Sequence, residues 1–132
     1  MTATTAQLSL LVALSHNQQP CQAHVIGLAS KVLAPDESVM RVEVGDPDSD
    51  SNPVLVVTDR RIFVAKERWL RGWKVTGEIP AAQVARAEHR PRFLSGKLTV
   101  IAHDGSEIAL TTGDNKHAQA TAAWITELAR RA

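Results

Sequence analysis

The sequence has few of the features that mark secreted, disulfide-stabilised or membrane-spanning proteins. One cysteine, Cys21, occurs among its 132 residues, so no internal disulfide can form and nothing requires an oxidising compartment. No apolar run approaches the roughly 18–20 residues of a membrane-spanning helix. The first basic side chain is Lys31, so the apolar stretch 8–14 lacks the basic region that precedes the core of a secretory signal. We therefore expect a cytoplasmic protein.

Catalytic and metal-binding motifs are missing as well. The 5 histidines have no zinc-ligand spacing, and the sequence contains no G-x-S-x-G, H-E-x-x-H or G-x-x-x-x-G-K-[ST] motif. An acidic segment alternates as in a calcium loop (Asp46, Asp48 and Asp50), but Ser51 and Val57 stand where such a loop needs glycine and glutamate. We expect a protein without catalysis, metal or cofactor.

Residues 4–34 have the apolar spacing of two helices. Thr4 and Gln7 have the spacing of a capping box, in which each side chain accepts a hydrogen bond from the other residue's backbone N–H. Pro20 suits the first turn of the second helix. Pro35 ends that helix, because the residue before a proline is disfavoured in the α region.

From residue 37 the apolar period changes to two, which indicates strands. In the first strand we expect two sets of three side chains on opposite faces: Val39, Arg41 and Glu43 against Met40, Val42 and Val44. In a later strand we expect three apolar side chains to share one face: Trp73, Val75 and Ile79. Between two buried strands lies a turn in which Asp59 suits an Asx-type hydrogen bond, and Asp104-Gly105 indicates a hairpin.

The last segment has the pattern of an amphipathic helix. Asp114 or Asn115 can cap its start, and we expect His117 in its first turn to face solvent. Its apolar stripe consists of Ala118, Ala122, Ile125, Leu128 and Ala129, with Trp124 beside it.

The order of elements predicts an α+β fold. Two N-terminal helices precede about seven short antiparallel strands, which should curve into a bent barrel or sandwich capped by the C-terminal helix. A chain of 132 residues is long enough for one core without a disulfide or a metal. We divide the chain into a helical pair (residues 1–35) and a barrel domain (residues 36–132).

Three segments carry a resemblance to a known family, in matching order and spacing. They are residues 54–64 (VLVVTDRRIFV), residues 78–84 (EIPAAQV) and residues 96–100 (GKLTV). They resemble the bacterial pleckstrin-homology-like domains of the YokE and GRAM-related type, which have a T-[ND]-x-R-[LI] turn and an I-P turn at these places. The resemblance spans about residues 33–131 and implies a seven-stranded bent barrel with one capping helix. It also implies binding or scaffolding, often in oligomers, rather than catalysis.

Charge is distributed unevenly along the chain, although the net charge is only +1. Residues 1–59 hold 2 basic and 7 acidic groups, whereas residues 60–132 hold 13 basic and 7 acidic groups. Such segregation can create a surface that attracts anions, although the charges can also neutralise one another in the fold. Ten of the basic groups lie close together in the sequence: Arg60, Arg61, Lys66, Arg68, Arg71, Lys74, Arg86, Arg90, Arg92 and Lys97.

One segment, the basic hairpin 66–74, combines cations with indoles. It links two predicted strands, so part of it must be exposed. Its candidate partner-binding residues are Lys66, Arg68, Trp69, Arg71, Trp73 and Lys74. Indole and cation together suit an anionic membrane, stacked nucleic-acid bases or an acidic protein groove. In the alternative interpretation, Trp73 belongs to the core because it alternates with Val75, and Trp69 folds over the mouth of the barrel.

The favoured hypothesis is a non-enzymatic binding or scaffolding module that acts through contacts with a protein partner, including a second copy of the chain. These contacts would use the basic hairpin, the N-terminal helices or both, since two short amphipathic helices often cannot bury both apolar stripes on a small barrel. The alternative is a peripheral membrane adaptor, in which the hairpin's cations contact anionic headgroups while Trp69 inserts. The modest basic surface and the 4% aromatic content disfavour nucleic acid as a partner.

Overall fold

Two antiparallel sheets account for the predicted strands. The computed structural model describes residues 3–16, 27–45, 53–68, 72–93 and 95–131, apart from the side chains of His16 and Arg68. The first sheet has the order β1-β2-β3-β4, formed by Val39–Val44, Val54–Thr58, Arg61–Arg68 and Gly72–Pro80. The second has the order β5-β6-β7, formed by Val84–Pro91, Gly96–Ala102 and Glu107–Thr112.

Helices complete the architecture at both ends of the chain. Helix α1 spans Thr5–His16, α2 spans Leu28–Lys31 and α3 spans Asn115–Arg131, while a 3₁₀ turn at Ala81–Gln83 joins the two sheets. The structure confirms the predicted α+β fold, with seven antiparallel strands, N-terminal helices and a C-terminal helix. The expected start of the second helix near Pro20 lies outside the described residues.

The first sheet is buried on both faces. Its inner face packs against the second sheet and α3, and it contributes Leu55, Val57, Ile62, Val64 and Ile79. Its outer face packs against α1 and α2, and it contributes Val39, Val42, Val54, Val56, Phe63 and Ala65. Strand β2 therefore has no residue that faces solvent, which explains its uninterrupted apolar sequence.

Helix α1 is attached to this outer face by packing and by hydrogen bonds. The predicted capping box is confirmed: the Thr4 N–H donates to Gln7 Oε1 at 2.9 Å, and the Gln7 N–H donates to Thr4 Oγ1 at 3.1 Å. The Val39 N–H donates to Ser9 Oγ at 2.8 Å, which connects the helix to the start of β1. Four side chains of the helix are buried against the sheet: Ala6, Leu10, Ala13 and Leu14.

Helix α3 closes the barrel along β5. Its predicted apolar stripe is confirmed, with Ala122 and Ile125 in the barrel core and Trp124, Leu128 and Ala129 packed against it. The Thr126 hydroxyl accepts a hydrogen bond from the Ala87 N–H at 3.0 Å and donates one to the Ala87 carbonyl at 3.1 Å. This side chain thereby satisfies both backbone groups of one residue on the outer edge of β5. Asp114 caps the helix, because its Oδ1 accepts the His117 N–H at 3.0 Å.

Register shifts in β1 and β4 place side chains on faces that simple alternation does not predict. In β1 the shift falls between Val39 and Arg41, so Val39 joins Val42 on the outer face and Met40 is exposed. Our assignment of Val39 and Met40 was therefore wrong. In β4 the shift falls opposite Val64 and Ala65.

The shift in β4 separates side chains that we expected to share a face. Ala65 pairs with Val75 and Val64 pairs with Gly77, so one residue of β4 has no counterpart on β3. Trp73 and Val75 consequently pack on the outer face, whereas Ile79 enters the barrel core. The prediction that these three side chains share a face was wrong, because a one-residue bulge reverses the alternation.

The turn between β2 and β3 is built on Thr58. Its hydroxyl oxygen accepts hydrogen bonds from the backbone N–H groups of Arg60 and Arg61, both at 3.1 Å. Asp59 does not make the expected Asx-type bond. Its Oδ1 accepts instead the N–H of Ser38 at 2.9 Å, and so attaches the residue before β1 to this turn.

A buried carboxylate and a guanidinium join this turn to the N-terminal segment. Glu37 is almost completely buried, and Arg61 binds it with Nε at 2.9 Å and Nη2 at 3.1 Å. The Thr58 hydroxyl donates to the same carboxylate at 2.6 Å, and the Ala34 N–H donates at 3.1 Å. Arg61 also binds Glu78 of β4 through Nη1 at 2.6 Å.

The hydrogen bonds to Glu37 determine its ionisation. Burial alone would raise the pKa of this carboxyl, but the bonds from Arg61, Thr58 and the Ala34 backbone outweigh burial and hold the pKa below its ordinary value. The same contact, chiefly the hydrogen bond to Glu37, raises the pKa of Arg61, which therefore keeps its charge throughout the acidic and neutral pH range.

We predict that the protein loses stability in acid through Glu37. A carboxyl whose pKa is lower in the folded than in the unfolded state stabilises the fold above its ordinary pKa of 4.5, and this contribution is lost as the pH falls through the folded value. Urea unfolding between pH 7 and pH 3 should show a free energy of unfolding that falls below about pH 5.

The variant Glu37→Gln should lower the free energy of unfolding by about 3 kcal/mol at pH 7 and flatten this pH dependence, because it removes the charge that Arg61 binds. Glu107→Gln is the matched control, since Glu107 is exposed on β7. If Glu37→Gln and Glu107→Gln had equal effects, Glu37 would not stabilise the fold in this way.

Candidate functional site

The basic hairpin 66–74 forms the far end of the β3–β4 pair. Lys66 lies directly opposite Lys74, and both side chains are exposed. Within the described residues neither lysine has an ion pair. Like charges directly opposite each other on paired strands destabilise a sheet, so this end of the hairpin presents uncompensated positive charge.

One indole of the basic hairpin, that of Trp73, lies against the core. Trp73 is half-buried and packs with Val75 against the outer-face core, as the alternative interpretation predicts. Trp69, Arg71 and the side chain of Arg68 lie outside the described part of the chain, so their assignment to a binding site stays a prediction. Gly72 has φ +73°, a conformation that favours glycine, and it begins β4 directly after the hairpin turn.

Helix α1 carries an apolar stripe on the side that faces away from the sheet. Leu8, Leu11 and Val12 are 55%, 44% and 56% exposed, respectively. The helix contains no Asp, Glu, Lys or Arg, so its outer side is uncharged. A soluble globular domain rarely leaves an uncharged apolar helix face in water, and such faces mark sites of interaction.

A cavity of about 400 Å³ opens where the end of α3 meets the start of β5 and the end of β2. Its lining is mainly apolar, with Asp59 and Arg131 among the polar members. The apolar lining residues are Met40, Val57, Ile62, Ala81, Ala82, Val84, Ile125, Leu128 and Ala129. Arg131 is already paired with Glu127, with Nε at 3.2 Å from Oε1.

The turn between β5 and β6 presents a single large aromatic side chain. Phe93 is 92% exposed, although phenylalanine is one of the residues most often buried in folded proteins. Three exposed cations flank it: Arg90, Arg92 and Lys97. None of these cations has an ion pair among the described residues.

A second buried carboxylate lies between β1 and α3. Glu43 is completely buried, and its Oε1 is 2.6 Å from His117 Nδ1 and 2.6 Å from the Thr121 hydroxyl, which donates to it. Arg41 donates from Nε to Thr121 Oγ1 at 2.7 Å and lies over the Trp124 ring at 5.6 Å. This polar cluster fixes the first half of α3 against the barrel.

The expectation that His117 faces solvent was wrong. Its side chain is only 15% exposed, because it lies against the buried Glu43 of β1. The reason lies in the tertiary contact, since nothing in the local sequence of α3 indicates a carboxylate partner on β1.

Comparison with protein families matches residues 33–127 to the bacterial PH domain, that is, the bacterial pleckstrin-homology domain. The match covers more than half of the 132-residue chain. The chain belongs to the bacterial PH domain family. This confirms the resemblance carried by the β2–β3 turn, the I-P turn and the β6 segment. A search of curated proteins finds no match.

Bacterial PH domains are, in general, binding modules rather than catalysts. The part of the chain that the structure describes contains no group of three or more histidine, cysteine, aspartate or glutamate side chains that could hold a metal ion. Among the same residues, none of the helices combines the length and the apolar character needed to cross a bilayer. The candidate working parts of this bacterial PH domain are thus the α1 stripe, the two basic hairpin ends and the cavity.

Several of these features have only a weak signal in the sequence. Phe93 stands in a short segment with Pro91 and two arginines, which is typical of a turn, and an aromatic residue there could have been noticed. The cavity has no local signal, because residues from β1, β2, β3, β5 and α3 line it. The acidic segment 46–50 lies outside the described residues.

We predict that the Glu43–His117 contact stabilises the bacterial PH domain. His117→Ala should lower the free energy of unfolding by about 2 kcal/mol, because it removes a hydrogen-bond partner of the completely buried Glu43 side chain. His103→Ala is the matched control, since His103 is exposed beside the β6–β7 turn. Chemical unfolding at pH 7 measures both, and equal stabilities of the two variants would contradict the role of His117.

Proposed function

We propose that this bacterial PH domain is a non-enzymatic scaffold that binds a protein partner through the outer side of α1. The observation that supports the proposal is the uncharged stripe of Leu8, Leu11 and Val12. A charged or strongly polar ligand would find no complementary group on this side of the helix. An apolar protein surface, including the same stripe of a second copy, would complement it.

The stripe alone provides a modest affinity. Each of its three aliphatic side chains is about half exposed, and burying the exposed half of such a side chain is worth about 1 kcal/mol. The three side chains together contribute about 3 kcal/mol. A specific interface usually buries about 800 Å² on each partner, which is more surface than three half-exposed side chains provide. A functional interface should therefore extend beyond α1.

The arrangement of the outer face supplies that extension. Trp73 and Val75 of β4 pack into the same core cluster as the buried side of α1. The root of the basic hairpin 66–74 and the N-terminal helices consequently share one face of the first sheet. Both surfaces that we predicted as partner-binding can thus contact a single partner, with α1 as its apolar part and the hairpin as its basic part.

We predict that a charge in the stripe abolishes the contact made through α1. Leu11→Glu should reduce the mass measured by light scattering at high protein concentration, or the recovery of a partner in a pull-down from the native host, because it places a carboxylate in an apolar interface. Gln119→Glu is the matched control, since Gln119 is exposed on α3, away from the stripe of α1. If Leu11→Glu left self-association and partner recovery both unchanged, α1 would not be the docking surface.

The uncompensated pair Lys66 and Lys74 supports a second candidate, a peripheral membrane adaptor. The pair places two cations directly opposite each other at the end of the β3–β4 hairpin, where anionic headgroups would neutralise them. In this candidate the described residues of the hairpin contact the headgroups through their charge, because Trp73 is packed against the core.

We predict a salt-dependent contact if the membrane candidate is correct. The double variant Lys66→Glu and Lys74→Glu should abolish co-sedimentation with vesicles that contain phosphatidylglycerol at low salt, whereas Lys116→Glu, an exposed change on α3, should not. Neutral phosphatidylcholine vesicles provide the lipid control. If the unaltered protein does not bind the anionic vesicles at all, the membrane candidate is excluded.

A further inference from the structure

The exposed Phe93 and the apolar cavity are complementary features at different places on the molecule. Phe93 projects from the β5–β6 turn with 92% of its surface exposed. The cavity has a volume of about 400 Å³ and a mainly apolar lining. A phenyl ring fits a dry apolar cavity of about 150 Å³, so this cavity has room for the side chain and for part of the turn that carries it.

The two features cannot meet within one chain. Val84, the first residue of β5, lines the cavity, whereas Phe93 follows Pro91, the last residue of the same strand. A strand rises about 3.3 Å per residue, so the eight residues of β5 separate the two by about 25 Å. Strand β5 is fixed along this length by its pairing with β6 and its packing on α3, so it cannot fold back.

The cations around Phe93 have one carboxylate in the cavity lining that they could bind. Arg90, Arg92 and Lys97 surround Phe93 and have no ion pair among the described residues. The cavity is lined in part by Asp59, whose side chain is exposed, while the cation beside it, Arg131, is paired with Glu127. A basic turn that approaches this rim would therefore meet an accessible carboxylate and a cation that is already partly neutralised.

We propose that Phe93 of one copy inserts into the cavity of a second copy. The β5–β6 turn of the first chain then lies at the junction of β2, the 3₁₀ turn and α3 of the next, with its arginines near Asp59. This contact joins two different surfaces, so it is heterologous: repeated, it produces a closed ring or an open chain of copies. The inference rests on the proposed protein-binding function and adds a surface that is separate from α1.

The first test uses variants that alter each side of the contact. Phe93→Ser removes the inserted ring, and Ala82→Trp fills the cavity from an exposed lining position. Each variant should remove the head-to-tail contact. Light scattering should therefore measure smaller assemblies than for the unaltered chain. Ala120→Trp is the matched control, since Ala120 is exposed on α3 and does not line the cavity, and it should leave the assemblies unchanged. The positions changed are exposed, so the variants should fold, which thermal unfolding checks.

The second test mixes the two variants in a chain that also carries Leu11→Glu, which removes the contact proposed for α1. Phe93→Ser retains its cavity and Ala82→Trp retains its phenylalanine, so each alone should be a monomer. Their mixture should form a species with twice the mass of one chain and no larger species, because neither end of this pair can extend further. The control mixture, in which both chains carry Phe93→Ser, should stay monomeric.

Two results would overturn the inference. A Leu11→Glu chain that stays monomeric at high concentration, or mixed variants that fail to associate where that chain assembles, would show that Phe93 does not enter the cavity. Loss of binding to anionic vesicles by Phe93→Ser, with no change in assembly mass, would assign the β5–β6 turn to a membrane instead. In either case, sensitivity of the full chain's assembly to Leu11→Glu would leave the function proposed for α1 intact, so the two proposals fail separately.

Discussion

The contact between Arg61 and Glu37 is the interaction on which the rest of the first sheet depends. Arg61 begins β3, binds the buried carboxylate that precedes β1, binds Glu78 on β4 and donates to the Val32 carbonyl at 3.0 Å. One guanidinium thus connects β3, β4 and the segment between α2 and β1. A planar fork with five donors can do this, whereas a lysine ammonium could not reach the same partners in these geometries.

The sequence of the β2–β3 turn follows from this contact. Thr58 accepts the two N–H groups of the turn and donates to Glu37, while Asp59 accepts the Ser38 N–H. All four residues of Thr58-Asp59-Arg60-Arg61 therefore bind the segment before β1, because Arg60 pairs with Asp36. The turn motif that resembles the bacterial PH domain family is in physical terms a device that fixes the start of the barrel.

The sequence predicted the elements better than their faces, for reasons that particular residues make clear. The number of strands, the capping box of α1 and the stripe of α3 depend on local spacing, and they were predictable. The faces of Met40 and Ile79 were not, because a bulge adds one residue and reverses every later assignment while the alternation itself looks unchanged. Glu43 and His117 are 74 residues apart, so no local pattern could indicate that they meet.

The basic groups of residues 60–97 divide according to their place in the hairpins. Arg60, Arg61 and Arg86 lie toward the 3₁₀ turn that joins the sheets, and each binds a carboxylate. Five exposed cations have no ion pair among the described residues and lie toward the far ends of the two hairpins: Lys66, Lys74, Arg90, Arg92 and Lys97.

Ion pairs within the fold therefore neutralise the basic groups at one end of each hairpin, whereas the exposed cations at the other end stay unpaired among the described residues. The uncharged stripe of α1 contributes no charge to compensate them. An anionic or carboxylate-bearing surface provided by another molecule would compensate the excess that the sequence places in this half of the chain. The charge of the chain and its exposed apolar groups thus support the same proposal, that the protein acts by contact with a second surface.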